Sequence, residues 1–174
     1  PPAAHRAAAE NAADEAAAWQ VVAAPTDGPP FPAASAVSAD GFRLYVWSRE
    51  DERGHQVFAE LHAAEDARFI GRMPVWRIDD EAPVDTDEVR AAGEAQQMLW
   101  GFTGDYVSVW MLWLGGSDVP QEEPLHDWFA GERLAVTIRM ANGEDRVIEF
   151  PLAGAGAAIE EAGEIRPVLR AAGN

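Results

Sequence analysis

The fold is decided by residues 42–63, where the chain reads FRLYVWSREDERGHQVFAELHA. Side chains alternate with a period of two on both sides of a turn-forming cluster at residues 51–54. In the first half, one face carries Phe42, Leu44, Val46 and Ser48, and the other carries Arg43, Tyr45, Trp47 and Arg49. Residues 55–63 resume the same period. This pattern predicts a β-hairpin.

Two further segments extend the predicted sheet. Residues 133–140 and 146–150 form a second hairpin, because Asn142 and Gly143 between them favour a tight turn. Residues 105–114 are apolar on both faces, which is typical of a central, doubly buried strand. We expect Val107, Val109, Met111 and Trp113 on one side of it, and Tyr106, Trp110, Leu112 and Leu114 on the other.

The remaining segments have weaker signals. We predict a strand at residues 19–24, a long proline-containing loop at residues 25–40, and a strand at residues 69–79. Pro74 interrupts that last strand and indicates an edge position or a bulge. A helix is expected at residues 87–100 with Thr86 as its N-cap, a turn or short helix at residues 125–130, and a helix at residues 154–161.

These elements predict one fold class and one main domain. The class is mainly β with flanking helices (α+β), built as an antiparallel sheet or β-sandwich with an Ala-rich N-terminal helix. Residues 1–18 form a helical or partly ordered lead-in, residues 19–165 a single β-rich domain, and residues 166–174 a tail.

Charge excludes some partners. The chain has 13 basic residues, all of them Arg, and 30 acidic residues, for a formal net charge of −17. Such a surface repels phosphate backbones, so nucleic-acid binding is not expected. No apolar run approaches the roughly 20 residues that span a bilayer, although peripheral contact with a membrane complex stays open.

The location of the protein and its lack of catalytic activity are predicted from features that the sequence does not contain. The sequence has no Cys, starts at Pro1 and has no hydrophobic signal core. We expect an exported protein, periplasmic or secreted, with its signal peptide removed; a cytoplasmic location is the alternative. It has no G-x-S-x-G elbow, phosphate-binding loop or dinucleotide fingerprint, so we predict a protein that is not an enzyme, with no cofactor and no catalytic residue.

Three short motifs resemble the invasion-associated locus B family. Residues 74–80 read PVWRIDD, residues 149–152 read EFPL, and residues 154–159 follow as a short Ala-containing helix. The resemblance spans roughly residues 19–161. It implies an exported bacterial protein with a β-sandwich-like domain, and says more of location and fold than of activity. This chain lacks the cysteines common in that family.

Two sets of polar residues are candidate metal sites. Glu60 and His62 share one strand face, but a zinc site needs three or four converging ligands, so an exposed strand face is the expected reading. An acidic run, Asp79, Asp80, Glu81, Asp85, Asp87 and Glu88, offers oxygen ligands for weak Ca²⁺ binding. A solvated loop followed by charges at a helix N-terminus is the expected reading, and weak Ca²⁺ binding is the alternative.

The seven tryptophans suggest a binding function. We predict an exposed interaction surface formed by Tyr45, Trp47, Trp76, Arg43, Arg49 and Arg77. The corresponding function is contact with a protein partner, as an accessory subunit of an envelope or membrane complex. The alternative is a module that binds a small apolar or carbohydrate ligand in a Trp-lined cleft.

Overall fold

A computed structural model of the chain describes residues 18–91 and 101–169. The predicted Ala-rich helix, and the predicted helix beyond Ala91, lie outside these residues. Among the described helices, none is long and apolar enough to cross a membrane.

The described residues form mainly antiparallel β-sheet. The strands are β1 (Gln20–Val22), β2 (Ala33–Val37), β3 (Arg43–Asp51), β4 (Gly54–His62), β5 (Val75–Ile78), β6 (Val84–Asp85), β7 (Gly101–Thr103), β8 (Val107–Gly115), β9 (Asp118–Val119), β10 (Arg133–Arg139), β11 (Asp145–Pro151) and β12 (Arg166–Pro167). The helices are α1 (Thr86–Ala91), α2 (Asp127–Ala130), which follows a 3-10 turn at Pro124–His126, and α3 (Ala155–Gly163).

The strands make two main sheets. The larger has the order β1-β2-β3-β4-β8-β7, and the smaller has the order β11-β10-β5-β6. Strands β9 and β12 form a separate parallel pair. The predicted fold class and both predicted hairpins are therefore confirmed.

The larger sheet buries side chains on both faces. On one face, Leu44, Val46 and Trp110 share a core with the smaller sheet and with α3. On the other, a second apolar cluster contains Ala33, Tyr45, Trp47, Phe58, Val109 and Met111. The prediction that β8 has two apolar, buried faces is confirmed by the presence of its residues in both clusters.

A β-bulge changes the predicted alternation of β8. Val57 pairs with Trp113 and Phe58 pairs with Met111, so Leu112 has no partner residue on β4. An extra residue shifts every later side chain to the opposite face. Trp113 accordingly packs against the core with Trp110, and Leu114 packs against the second cluster, which reverses the sides predicted for these two residues.

Three other sequence predictions are wrong. The expected loop at residues 25–40 contains β2, whose small residues hid its strand character and allow close packing against α3. Pro74 does not mark an edge strand, because it precedes β5 and β5 lies between β10 and β6. Arg166 and Pro167 do not begin a tail but pair with β9.

The N-cap of α1 is Asp85, not Thr86. The Asp85 Oδ1 accepts the backbone N–H groups of Asp87 at 3.0 Å and Glu88 at 3.2 Å, which are the second and third residues of the helix. An N-cap side chain makes these bonds because the first turn of a helix has no internal acceptors for them. The Thr86 hydroxyl therefore takes no part in capping.

Candidate functional site

The aromatic residues of the predicted interaction surface are buried. Tyr45, Trp47 and Trp76 are only 5%, 8% and 4% exposed. Trp47 is stacked between Phe31, with ring centroids 5.3 Å apart, and Phe58, at 4.5 Å. The prediction of exposed aromatic anchors is wrong, because regular alternation gives a sheet face but does not reveal what covers that face.

The six predicted surface residues are also not brought together. Arg43, Tyr45, Trp47 and Arg49 share one face of β3 as predicted, whereas Trp76 and Arg77 lie on β5 of the other sheet. The three arginines are exposed. Arg49 is held locally, since its Nε donates to Gln56 Oε1 at 2.9 Å and its guanidinium lies over the Phe58 ring.

Glu60 and His62 contact each other within this face. Glu60 is 8% exposed, and its carboxylate accepts the Trp47 Nε1–H at 3.1 Å and lies 2.7 Å from His62 Nε2. Burial raises the pKa of neighbouring Tyr45 because it disfavours the phenolate, and the Arg43 charge opposes that effect. The expected exposed strand face is therefore wrong, and these polar groups instead stabilise a buried layer.

The acidic run makes structural contacts. The Asp79 carboxylate accepts the backbone N–H groups of Glu132 and Arg133. Asp85 caps α1, and the Asp87 carboxylate accepts the Met73 N–H at 3.3 Å. In residues 18–91 and 101–169, no group of three or more His, Asp or Glu side chains could hold a metal ion, so the alternative of weak Ca²⁺ binding has no support.

A Trp-lined cleft is present at another position. Its volume is about 360 Å³. Strand β8 of the larger sheet, β5 and β6 of the smaller sheet, α1 and the segment before α2 supply its walls. The described lining residues are Trp76, Val84, Thr86, Val89, Met111, Leu112, Trp113, Leu114, Glu123 and Pro124.

The bulge at Leu112 shapes this cleft. Strand β7 pairs with β8 only between Ser108 and Trp110, so the edge of β8 beyond Trp110 has no strand partner among the described residues. Four consecutive residues from Met111 onwards line the cleft. Bulges re-aim side chains in this way and are frequent beside binding sites.

The ring of Trp113 is fixed in the cleft wall. Its Nε1–H donates to the Gly116 carbonyl oxygen at 3.1 Å. A methyl group added at Gly115 would come within 2.1 Å of the indole, so the absence of a side chain at Gly115 leaves room for the ring. The indole N–H of Trp113 therefore has its hydrogen-bond acceptor within the chain, and the ring offers an apolar surface.

Thr86 places an unsatisfied polar atom in this apolar wall. The residue is 6% exposed, and its Oγ1 has no hydrogen-bond partner among the described residues. Leaving a buried hydroxyl unpaired costs about 1–3 kcal/mol, and such a group needs an explanation. Of the five buried side-chain atoms without a partner in the described chain, this is the one whose residue lines the cleft.

Glu123 is the charged member of the described lining residues. Its backbone is bonded at both ends, with its N–H donating to Pro120 and its carbonyl accepting the His126 N–H. Among the described residues its carboxylate has no hydrogen-bond or ion-pair partner. The segment thus holds a free carboxylate at the cleft.

A larger groove is less suited to an apolar ligand. It has a volume of about 1060 Å³ and is lined mostly by polar and charged residues of the loops at one end of the sheets. Ion pairs occupy several of them, including Arg146 with Asp40 at 3.2 Å and Arg139 with Asp145. Its size alone does not indicate a site.

Sequence reasoning missed most of the cleft. The sequence predicts Trp76 as part of a different surface and Thr86 as the N-cap of a helix. In the sequence Asp85-Thr86-Asp87-Glu88, a Glu follows the N-cap residue by three positions, which is the spacing of a capping box. That signal would have identified Asp85 as the cap and left the Thr86 hydroxyl without a role.

Comparisons with protein-family models, curated proteins and solved structures found no match to this chain. The resemblance to the invasion-associated locus B family therefore stays a prediction.

Proposed function

We propose that this protein is a non-enzymatic module that binds a small, mainly apolar molecule in the cleft between Trp76 and Trp113. The observation that carries the proposal is a cleft of about 360 Å³ whose mainly apolar wall contains two tryptophans, Trp76 and Trp113. Binding pockets typically combine aromatic walls with a few placed polar groups, in volumes of about 300–1,000 Å³. The cleft lies at the lower end of this range.

The chemistry of the ligand follows from the walls. The two indoles and the Val and Leu side chains favour a flat or compact apolar body. Thr86 Oγ1 is buried within the wall, so apolar contact, and not a hydrogen bond to this hydroxyl, selects the molecule. A carbohydrate is less suitable, because the described lining residues offer only Thr86 and Glu123 as polar side chains.

The predicted contact with a protein partner has no supporting surface, because the aromatic residues assigned to that surface are buried. Export and an accessory role in an envelope complex stay predictions. They are compatible with a ligand-binding module, but no feature of the described residues favours them.

The Val89→Asp variant tests the proposal with phenethyl alcohol as a neutral probe. We expect the wild-type protein to bind the alcohol and the variant to bind it about fivefold more weakly, because a charged side chain replaces part of the apolar wall. The free energy of unfolding of the variant should fall by about 1 kcal/mol or less, since Val89 is 39% exposed. Nuclear magnetic resonance titration gives the affinity, and urea unfolding gives the stability.

Two outcomes would count against the proposal. If the wild-type protein does not bind the probe, the cleft is not a site for small apolar molecules. If Val89→Asp binds the probe as tightly as the wild-type protein, the probe binds outside the cleft.

A further inference from the structure

We infer that the natural ligand of the cleft is an organic cation: an apolar, ring-sized body that carries an ammonium group. The inference rests on the proposed function, since it specifies the charge of the molecule that the cleft binds. Its starting point is Glu123, the charged residue among the described lining residues, whose carboxylate has no partner among them.

An unpaired carboxylate beside an apolar cleft selects for positive charge. The described lining residues include no Arg, so none of them competes with a bound cation for Glu123. An ammonium group placed there gains a charge-assisted hydrogen bond, which is stronger than a neutral one. Glu123 is half-buried, and partial exclusion of water strengthens the attraction relative to that of a fully exposed pair.

The aromatic walls favour the same charge. Trp is the best of the aromatic side chains at attracting a cation to its ring face, and the attraction is stronger where water is excluded. Trp76 and Trp113 both line the cleft. A cation with an apolar body can therefore interact with the indoles and with Glu123 at once, whereas an anion is repelled by the carboxylate.

The charge of the whole molecule adds a long-range contribution. A formal net charge of −17 attracts cations and repels anions before contact, and salt screens this effect over about 10 Å at 0.1 M. This field is not specific to the cleft. A test must therefore separate the contribution of Glu123 from that of the overall charge.

Three probes of similar size separate these contributions: phenethylammonium, phenethyl alcohol and phenylacetate. We expect the ammonium probe to bind the wild-type protein about tenfold more tightly than the alcohol, and phenylacetate to bind most weakly. In Glu123→Gln, the affinity for phenethylammonium should fall about fivefold while that for phenethyl alcohol stays within about twofold.

Glu122→Gln is the matched control. Glu122 is the exposed neighbour of Glu123, is absent from the cleft wall, and gives the same change in net charge. We expect it to change the affinity for phenethylammonium by less than about twofold, because water and salt screen an exposed charge that does not line the cleft. Equal losses in the two variants would assign the preference to the overall charge and overturn the inference.

The remaining outcomes distinguish the inference from the proposed function. If phenethyl alcohol binds as tightly as phenethylammonium, and Glu123→Gln changes neither affinity, the ligand is not selected for its charge, yet the cleft still binds apolar molecules. If none of the three probes binds, the proposed function fails and the inference fails with it.

Discussion

Gly54→Ala is expected to lower the free energy of unfolding by about 3–5 kcal/mol. Gly54 has φ +111°, a backbone conformation that residues with a side chain rarely adopt, and such strain costs about 1–3 kcal/mol. A Cβ at this position would also lie 2.4 Å from the carbonyl oxygen of Gly115. That oxygen belongs to the backbone of β8 and cannot move aside as a side chain would, so overpacking adds a similar cost.

Gly143→Ala provides the control for this prediction. Gly143 also has a positive φ, +86°, but a Cβ there would meet nothing within 4 Å. Gly143→Ala should lower the free energy of unfolding by about 1 kcal/mol, which is the cost of the backbone conformation alone. Urea unfolding of both variants measures the difference, and equal losses would contradict the close approach of Gly54 to Gly115.

Trp113→Ala is expected to weaken binding of phenethylammonium about thirtyfold. Removing a large aromatic side chain from the centre of a contact typically costs about 2 kcal/mol or more. Trp113 is only partly buried, so its removal should destabilise the fold less than the roughly 3–5 kcal/mol expected for a fully buried tryptophan such as Trp128. The affinity comes from titration followed by nuclear magnetic resonance.

Phe102→Ala is the control for loss of an aromatic ring outside the cleft. Phe102 lies on β7, is 57% exposed and is not part of the described cleft wall. Its removal should leave the affinity for phenethylammonium within about twofold, because single surface substitutions away from a site have small effects. A loss as large as that of Trp113→Ala would place the binding site elsewhere.

Local patterns predicted the parts of the fold that depend on neighbouring residues. The alternation in β3 and β4, and the Asn142-Gly143 turn between β10 and β11, correspond to observed hairpins. The small residues of β2 gave no such pattern, because their strand is defined by packing against α3. The bulge at Leu112 was equally hidden, since it arises from pairing between β4 and β8.

The candidate site depends on contacts between distant segments, which alternation does not reveal. Thr86, Trp113 and Glu123 belong to α1, β8 and the segment before α2, and only the packing of the two sheets brings them to one cleft. Conversely, Tyr45 and Trp47 had the sequence features of an exposed patch but are buried in the second cluster. The sequence predicted an exposed surface of Tyr45, Trp47 and Trp76, whereas these residues are buried and the cleft is lined by Trp76 and Trp113.

The most direct test of the cleft uses the indole N–H resonances of the protein during titration with phenethylammonium. We predict that the resonances of Trp76 and Trp113 shift with one common saturation curve, because both rings line the cleft. Those of Trp19 and Trp110, which do not line it, should stay in place. Saturable shifts confined to other tryptophans, or no shifts at all, would contradict the account.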